Sequence, residues 1–272
     1  SNNADNGVGE VIAPTAAAIV AGKAPVSAEY SYDSVTLGQV VIADGNAVGA
    51  TDTIKTVSVD GYANSANSAS SITSDALTDV TLKNSAGTMT VKTTVASLNL
   101  TVDDIQDDVT LTAANLKTLN LKTTGEESAF NFAGTGAAAV ETLTIAAGAD
   151  LTTDGSTLTA LKTATITGAG DVNLGDLSAS ASFATLNASA AKGDITAEVN
   201  GDVTAVTTGS GDDKITVNTT PTTTVTKAIS LGDGYDILDL SALTTVDATT
   251  AAISGGAGSD TVVLNANFAD VT

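Results

Sequence analysis

The sequence predicts an all-β fold, a right-handed parallel β-solenoid with coils of about 21–24 residues, and three observations lead to it. A short segment with apolar residues at its first, fourth and sixth positions recurs along the chain. Between its copies lie stretches rich in Thr, Val, Gly and Asp, which build strands and turns rather than helices. Aromatic residues make up 3% of the 272 residues and Trp is absent. The apolar 42% is therefore mostly small side chains, which suit thin, closely stacked β layers.

The recurring segment reads "IKTVSV" at 54, "LTDVTL" at 77, "VASLNL" at 95, "LKTLNL" at 116, "VETLTI" at 140, "LKTATI" at 161, "FATLNA" at 183 and "VTAVTT" at 203, with start-to-start spacings of 18 to 24 residues. In the later copies Ala or Thr takes an apolar slot. Each unit carries a second β-like piece, such as "DVTLTA" at 108–113, "DVNLGDL" at 171–177 or "DITAEV" at 194–199. Coils stacked roughly 4.8 Å apart let each strand pair with its equivalents above and below. Leucine-rich repeats share this period, but they need a helix or regular turn after the strand, and these return segments are poor helix formers.

Three regions follow. Residues 1–50 fit the repeat poorly and are expected to be an N-terminal cap or the start of the solenoid. "VIAPTAAAIVAGKAP" is a candidate small helix or irregular cap, followed by two strands within 27–45. Residues 51–207 form the solenoid repeats, with polar "YANSANSASSITSD" at 62–75 expected as a projecting loop. Residues 208–272 hold a different turn. No stretch reaches the roughly 18 apolar residues of a membrane span. The opening "SNNADNGVGE" lacks the basic and apolar regions of a signal peptide, so the chain is expected to begin inside a longer precursor, at a processed end or at an expression boundary.

Net charge is -21, from 31 acidic residues against ten basic residues that are all Lys. Such a field repels nucleic acid and anionic lipid and concentrates divalent cations, whose preferred ligands are carboxylate oxygens. With no His and no Cys, imidazole and thiol chemistry and nearly every zinc site are ruled out, so catalysis is disfavoured.

Three turns near the C-terminus, "TGSGDDKIT" at 208–216, "LGDGYDILD" at 231–239 and "GGAGSDTVV" at 255–263, follow the nine-residue pattern G-G-x-G-x-D-x-U-x, the first two departing from it only at the first glycine. Asp213, Asp236 and Asp260 fall 23 and 24 residues apart, so each turn should lie over the one before. Glycine allows the backbone to turn carbonyl oxygens inward, and Asp adds a carboxylate at the end of the turn. Two stacked turns together can offer the six to eight oxygens Ca²⁺ prefers, so three turns make two sites. Ile215, Leu238 and Val262 then point into the core. Elsewhere, Asp171, Asp176, Asp194 and Asp202 at turns read as ordinary Asx turns or degenerate cation sites, and "DDIQDD" at 103–108 as a solvated acidic loop or a cation site between chains.

The nonapeptides resemble the calcium-binding repeats of RTX proteins, whose fold is a parallel β-roll with Ca²⁺ between turns. The resemblance implies carboxylate ligands at Asp213, Asp236 and Asp260, with carbonyl ligands from Thr208, Ser210, Leu231, Asp233, Gly255 and Ala257. RTX repeats follow one another every nine residues, whereas these recur every 23 or 24, so calcium should line only one edge. The whole chain, with its Thr/Ala/Asn-rich coils followed by sparse RTX turns, resembles RTX-type surface-layer proteins of Gram-negative bacteria. This implies a secreted, self-assembling structural protein at the cell surface, with copies of itself and cell-surface polysaccharide as partners. An adhesin or the calcium-folding module of a larger secreted protein is the alternative. A β-helical polysaccharide enzyme is the third class, and it would have only Lys as a basic residue.

Overall fold

In the computed structural model, residues 38–44, 51–63, 69–218, 224–225, 228–243, 245–246 and 252–265 are described. They form stacked coils of parallel β-strand. The spine is a ten-stranded parallel sheet built from Thr56–Asp60, Asp79–Ser85, Ser97–Ile105, Thr118–Thr123, Thr142–Ala147, Thr163–Gly168, Thr185–Ala191, Ala205–Thr207, Ala228–Ser230 and Ile253–Ser254. Two shorter parallel sheets close the coils. One has five strands and runs from Val41–Ala43 to Phe132–Ala133; the other has seven and runs from Ser128–Ala129 to Thr261–Leu264.

The repeated segment is the spine. Leu98 pairs with Leu119, Leu119 with Leu143, Leu143 with Ala164 and Ala164 with Leu186, steps of 21, 24, 21 and 22 residues. Period-two alternation sends these residues inward, where all five are at most 1% exposed, and turns Thr118, Thr142, Thr163 and Thr185 outward. A fully buried Leu of this kind contributes about 1.5–3 kcal/mol relative to an exposed one. The outward face is tied across coils as well, Asn120 Nδ2 donating to Asn99 Oδ1 at 2.9 Å and Asn99 Nδ2 to Asp79 Oδ1 at 2.8 Å.

Two expectations are corrected. The 18-residue spacing between the copies at 77 and 95 is not the structural register: Val80 pairs with Leu100, a step of 20, so the motif slips by two residues there. A slip of two keeps every side chain on its face, which is why pattern alone misses it. The expected polar loop at 62–75 also contains the strand Ser70–Thr73, with Ile72 in the core. Small serines replace apolar residues on its inner face because backbone carbonyls receive their hydroxyls, Ser70 Oγ donating to Ala63 O at 2.7 Å and Ser74 Oγ to Ile54 O at 2.8 Å. Of the N-terminal region, only residues 38–44 are described, and they hold the strand Val41–Ala43; the candidate helix lies outside the described residues.

Among the described residues helix is nearly absent, as the sequence predicts. Their one α-helical turn, Gly134–Ala139, is a run of small residues that fits tightly over the coil below. A Cβ at Gly136 would sit 2.9 Å from the Leu111 carbonyl. Corners at the ends of the early spine strands use left-handed backbone at Gly61, Asn84, Asp104 and Gly125, a file of residues 20 to 23 apart. Asn and Asp tolerate that conformation better than other residues with a Cβ. This explains much of the acidic "DDIQDD" stretch: Asp104 turns the corner, Asp103 pairs with Lys83 at 3.1 Å, and Asp108 Oδ1 accepts the Asn131 N–H at 3.3 Å.

Candidate metal centre

The three glycine-aspartate turns stack as their spacing predicts. Lys214 pairs with Ile237, and Ile237 with Thr261, so the aspartates one residue earlier form a column. Close stacking explains the glycines. A Cβ on Gly232, at φ +91°, would lie 2.0 Å from the Gly209 carbonyl, a distance only hydrogen can occupy. Ile215 and Leu238 enter the core at 0% exposure, whereas Val262 in the last turn is 51% exposed.

Asp213 and Asp236 point inward, each 1% exposed, while Asp260 at the end of the column is exposed. Each carboxylate closes the seam with the preceding coil. Asp213 Oδ1 accepts the Ile195 N–H at 2.7 Å, Asp236 Oδ1 the Asp213 N–H at 2.8 Å, and Asp260 Oδ1 the Asp236 N–H at 3.2 Å. The second oxygens of the inner two, Asp213 Oδ2 and Asp236 Oδ2, are buried without a hydrogen-bond partner. A buried acceptor left unpaired costs about 1–3 kcal/mol, more when charged.

Burial pushes the Asp213 carboxyl up to about 6. The Thr208 hydroxyl beside it and the Ile195 N–H oppose the push, and the charges of Asp236 and Asp194 add to it. The Thr208 hydroxyl donates its single proton to the Leu231 carbonyl, which leaves Asp213 Oδ2 without a donor. Asp236 is likewise raised, first by burial, against the Asp213 N–H and with the repulsion of Asp260, Asp212 and Asp194.

Of the expected carbonyl donors, Thr208 lies beside Asp213, and the Gly255 Cα lies against the carboxylate of Asp260, where an added Cβ would be 2.1 Å from Oδ2. Leu231 O accepts the Thr208 hydroxyl. Asp233–Gly234 pairs in parallel register with Ala257–Gly258, forming a small ladder along the turn, and Ser210 is exposed one coil earlier. Among the described residues, no three His, Cys, Asp or Glu side chains converge on one point that could hold a metal. Side chains thus supply two orphaned, charge-seeking oxygens, and a hard cation here would draw the rest of its shell from backbone carbonyls and water.

A second ladder escaped sequence reading. Asp150, Asp171, Asp194 and Asp212 stand at the same turn on the solvent side. Asp150 Oδ1 accepts the Asp171 N–H at 2.9 Å, Asp171 Oδ1 the Asp194 N–H at 2.8 Å, Asp194 Oδ1 the Asp212 N–H at 2.7 Å, and Asp212 Oδ1 the Tyr235 N–H at 2.9 Å. Here each carboxylate bonds the following coil, the opposite sense to the inner column. Asp171 and Asp194 are therefore inter-coil braces rather than local Asx turns, whereas Asp176 does form one, its Oδ1 accepting the Ser178 N–H at 2.7 Å. The available signal was a Gly within two residues before each of these four aspartates. Comparison with family models, characterised proteins and solved structures finds no match to this chain.

Proposed function

We propose that this chain is a structural, self-assembling surface-layer protein, secreted to a bacterial cell surface, whose C-terminal coils are ordered by Ca²⁺ held along the Asp213, Asp236 and Asp260 column. The observation that carries the reading is the pair of buried carboxylate oxygens without donors in adjacent coils. A divalent cation supplies what both oxygens lack, and it also lowers the repulsion within a chain of net charge -21. The remaining ligands in this reading are backbone oxygens of Thr208, Ser210, Leu231, Asp233, Gly255 and Ala257. A long, rigid, disulfide-free solenoid with regular Thr/Asn faces suits a scaffold, and the absence of His and Cys supports a role without catalysis.

Light scattering and negative-stain electron microscopy with and without Ca²⁺ test the proposal. Ordered sheets or large assemblies that form with Ca²⁺ and disperse on chelation are the expected result. A protein that binds Ca²⁺ yet stays free of extended assemblies at high concentration favours an adhesin or the calcium-folding module of a larger secreted protein.

A further inference from the structure

The outward face of the ten-stranded spine is chemically unlike the acidic turns. Four adjacent strands present "TLN" at 118–120, "TLT" at 142–144, "TAT" at 163–165 and "TLN" at 185–187, the middle residue of each triplet buried and the outer two facing solvent. Register is unbroken through all four. Thr118 pairs with Thr142, Thr142 with Thr163 and Thr163 with Thr185, and the third positions pair in the same order. "SLN" at 97–99 and "AVT" at 205–207 extend both columns by one strand at either end. The two columns therefore stand about 6.6 Å apart along the strands, with a new row about every 4.8 Å across them.

Charge is kept out of this grid. The chain has 31 acidic residues, yet among the outward residues of these four strands only Lys122 is charged, and it lies beyond the third position of its triplet. At the rim before the first column, Lys117 and Lys162 both pair with Glu141. Among the described residues the threonine hydroxyls of the four triplets have no protein acceptor, so their donors and lone pairs are left to water.

We propose that this grid is an ice-binding face whose ligand is the ordered water at the surface of an ice crystal. Each threonine offers a hydroxyl that anchors a water and a methyl group around which first-shell water is already restricted in orientation. Buried middle residues hold the rows in place, so the anchored waters repeat at spacings close to the oxygen repeat of hexagonal ice. Waters ordered beforehand lose little more entropy when the crystal takes them up. An ionic group would orient water around its own charge, which is why carboxylates, abundant elsewhere on this chain, are out of place here. The grid thus matches a neutral hydrogen-bonding lattice in both charge and repeat, whereas a charged partner finds nothing on it to pair with. The inference depends neither on the surface-layer reading nor on Ca²⁺.

Slow growth of ice on a cold probe in a dilute solution of the full chain, with and without Ca²⁺, tests the proposal. Wild type should be incorporated into the ice, and single crystals viewed by microscopy should grow faceted. Thr144→Lys and Thr165→Lys each set a charge in the middle of the grid, and each should lower the incorporated fraction at least about tenfold while keeping the β circular dichroism signal. Thr152→Lys, at an exposed position on another sheet, should be incorporated like wild type. Exclusion of wild type from ice overturns the inference, as does incorporation of both grid variants at the wild-type level. A wild type excluded from ice but retained on a neutral polysaccharide would also overturn it and assign the face to a glycan chain. Calcium-dependent sheets without ice binding would keep the surface-layer reading and remove this one, and ice binding without sheets would do the reverse.

Discussion

Asp213 meets opposing demands. Its Oδ1 is needed to accept the Ile195 N–H, while its buried Oδ2 has no donor and the carboxyl is pushed up to about 6. Because the folded-state value lies above the ordinary 3.8, its contribution to stability is fully present below about pH 4 and is lost as pH rises through 6. Without Ca²⁺ the C-terminal coils should thus be firmer at pH 5 than at pH 7.5. Glu141 runs the other way. Held between Lys117 at 2.7 Å and Lys162, it is lowered to about 2, so its stabilisation is present above about 4.5 and lost as pH falls toward 2. Asp213→Asn separates charge from hydrogen bonding, because the amide oxygen can still accept the Ile195 N–H. At pH 7.5 without Ca²⁺ the variant should melt a few degrees above wild type, and in saturating Ca²⁺ the order should invert. Thermal unfolding followed by circular dichroism reads both. Asp260→Asn, at an exposed position, should shift either midpoint less.

At the scale of the turn, glycine is a requirement of stacking. Gly232→Ala would thrust a Cβ to 2.0 Å from the Gly209 carbonyl in a left-handed conformation, so the seam between the first two glycine-aspartate turns must open. Limited proteolysis should then cut the variant after residue 207 while leaving the earlier coils intact, whereas a protease-resistant variant would show that the turns are not closely stacked. The stacking itself was legible in the sequence: the 23- and 24-residue spacing of Asp213, Asp236 and Asp260 reappears as coil register. The spine was legible for the same reason, since an apolar file such as Leu98, Leu119 and Leu143 repeats once per coil. What stayed hidden had no periodic apolar signature. The Ser70–Thr73 strand faces the core with serines, the two-residue slip at Leu100 conserves facing, and the outer ladder of Asp150, Asp171, Asp194 and Asp212 depends on which neighbouring N–H each carboxylate reaches.

Across the whole molecule, order is unevenly supported. The middle coils bury continuous files of Leu, Val and Ile. The last described coils exchange part of that core for two inward carboxylates, and Val262 and Leu264 on their final strand are exposed. Without Ca²⁺ the lowest local stability is therefore expected where the candidate cation column lies, and a ligand that binds only the folded turns should raise it by mass action. Native-state hydrogen exchange with and without Ca²⁺ tests this most directly. Ca²⁺ is expected to slow exchange of the amides of Ile195, Asp213 and Asp236, and of the described residues of 208–264 generally, by at least about tenfold, while 97–168 is unchanged. Identical exchange across 208–264 with and without saturating Ca²⁺ would contradict it.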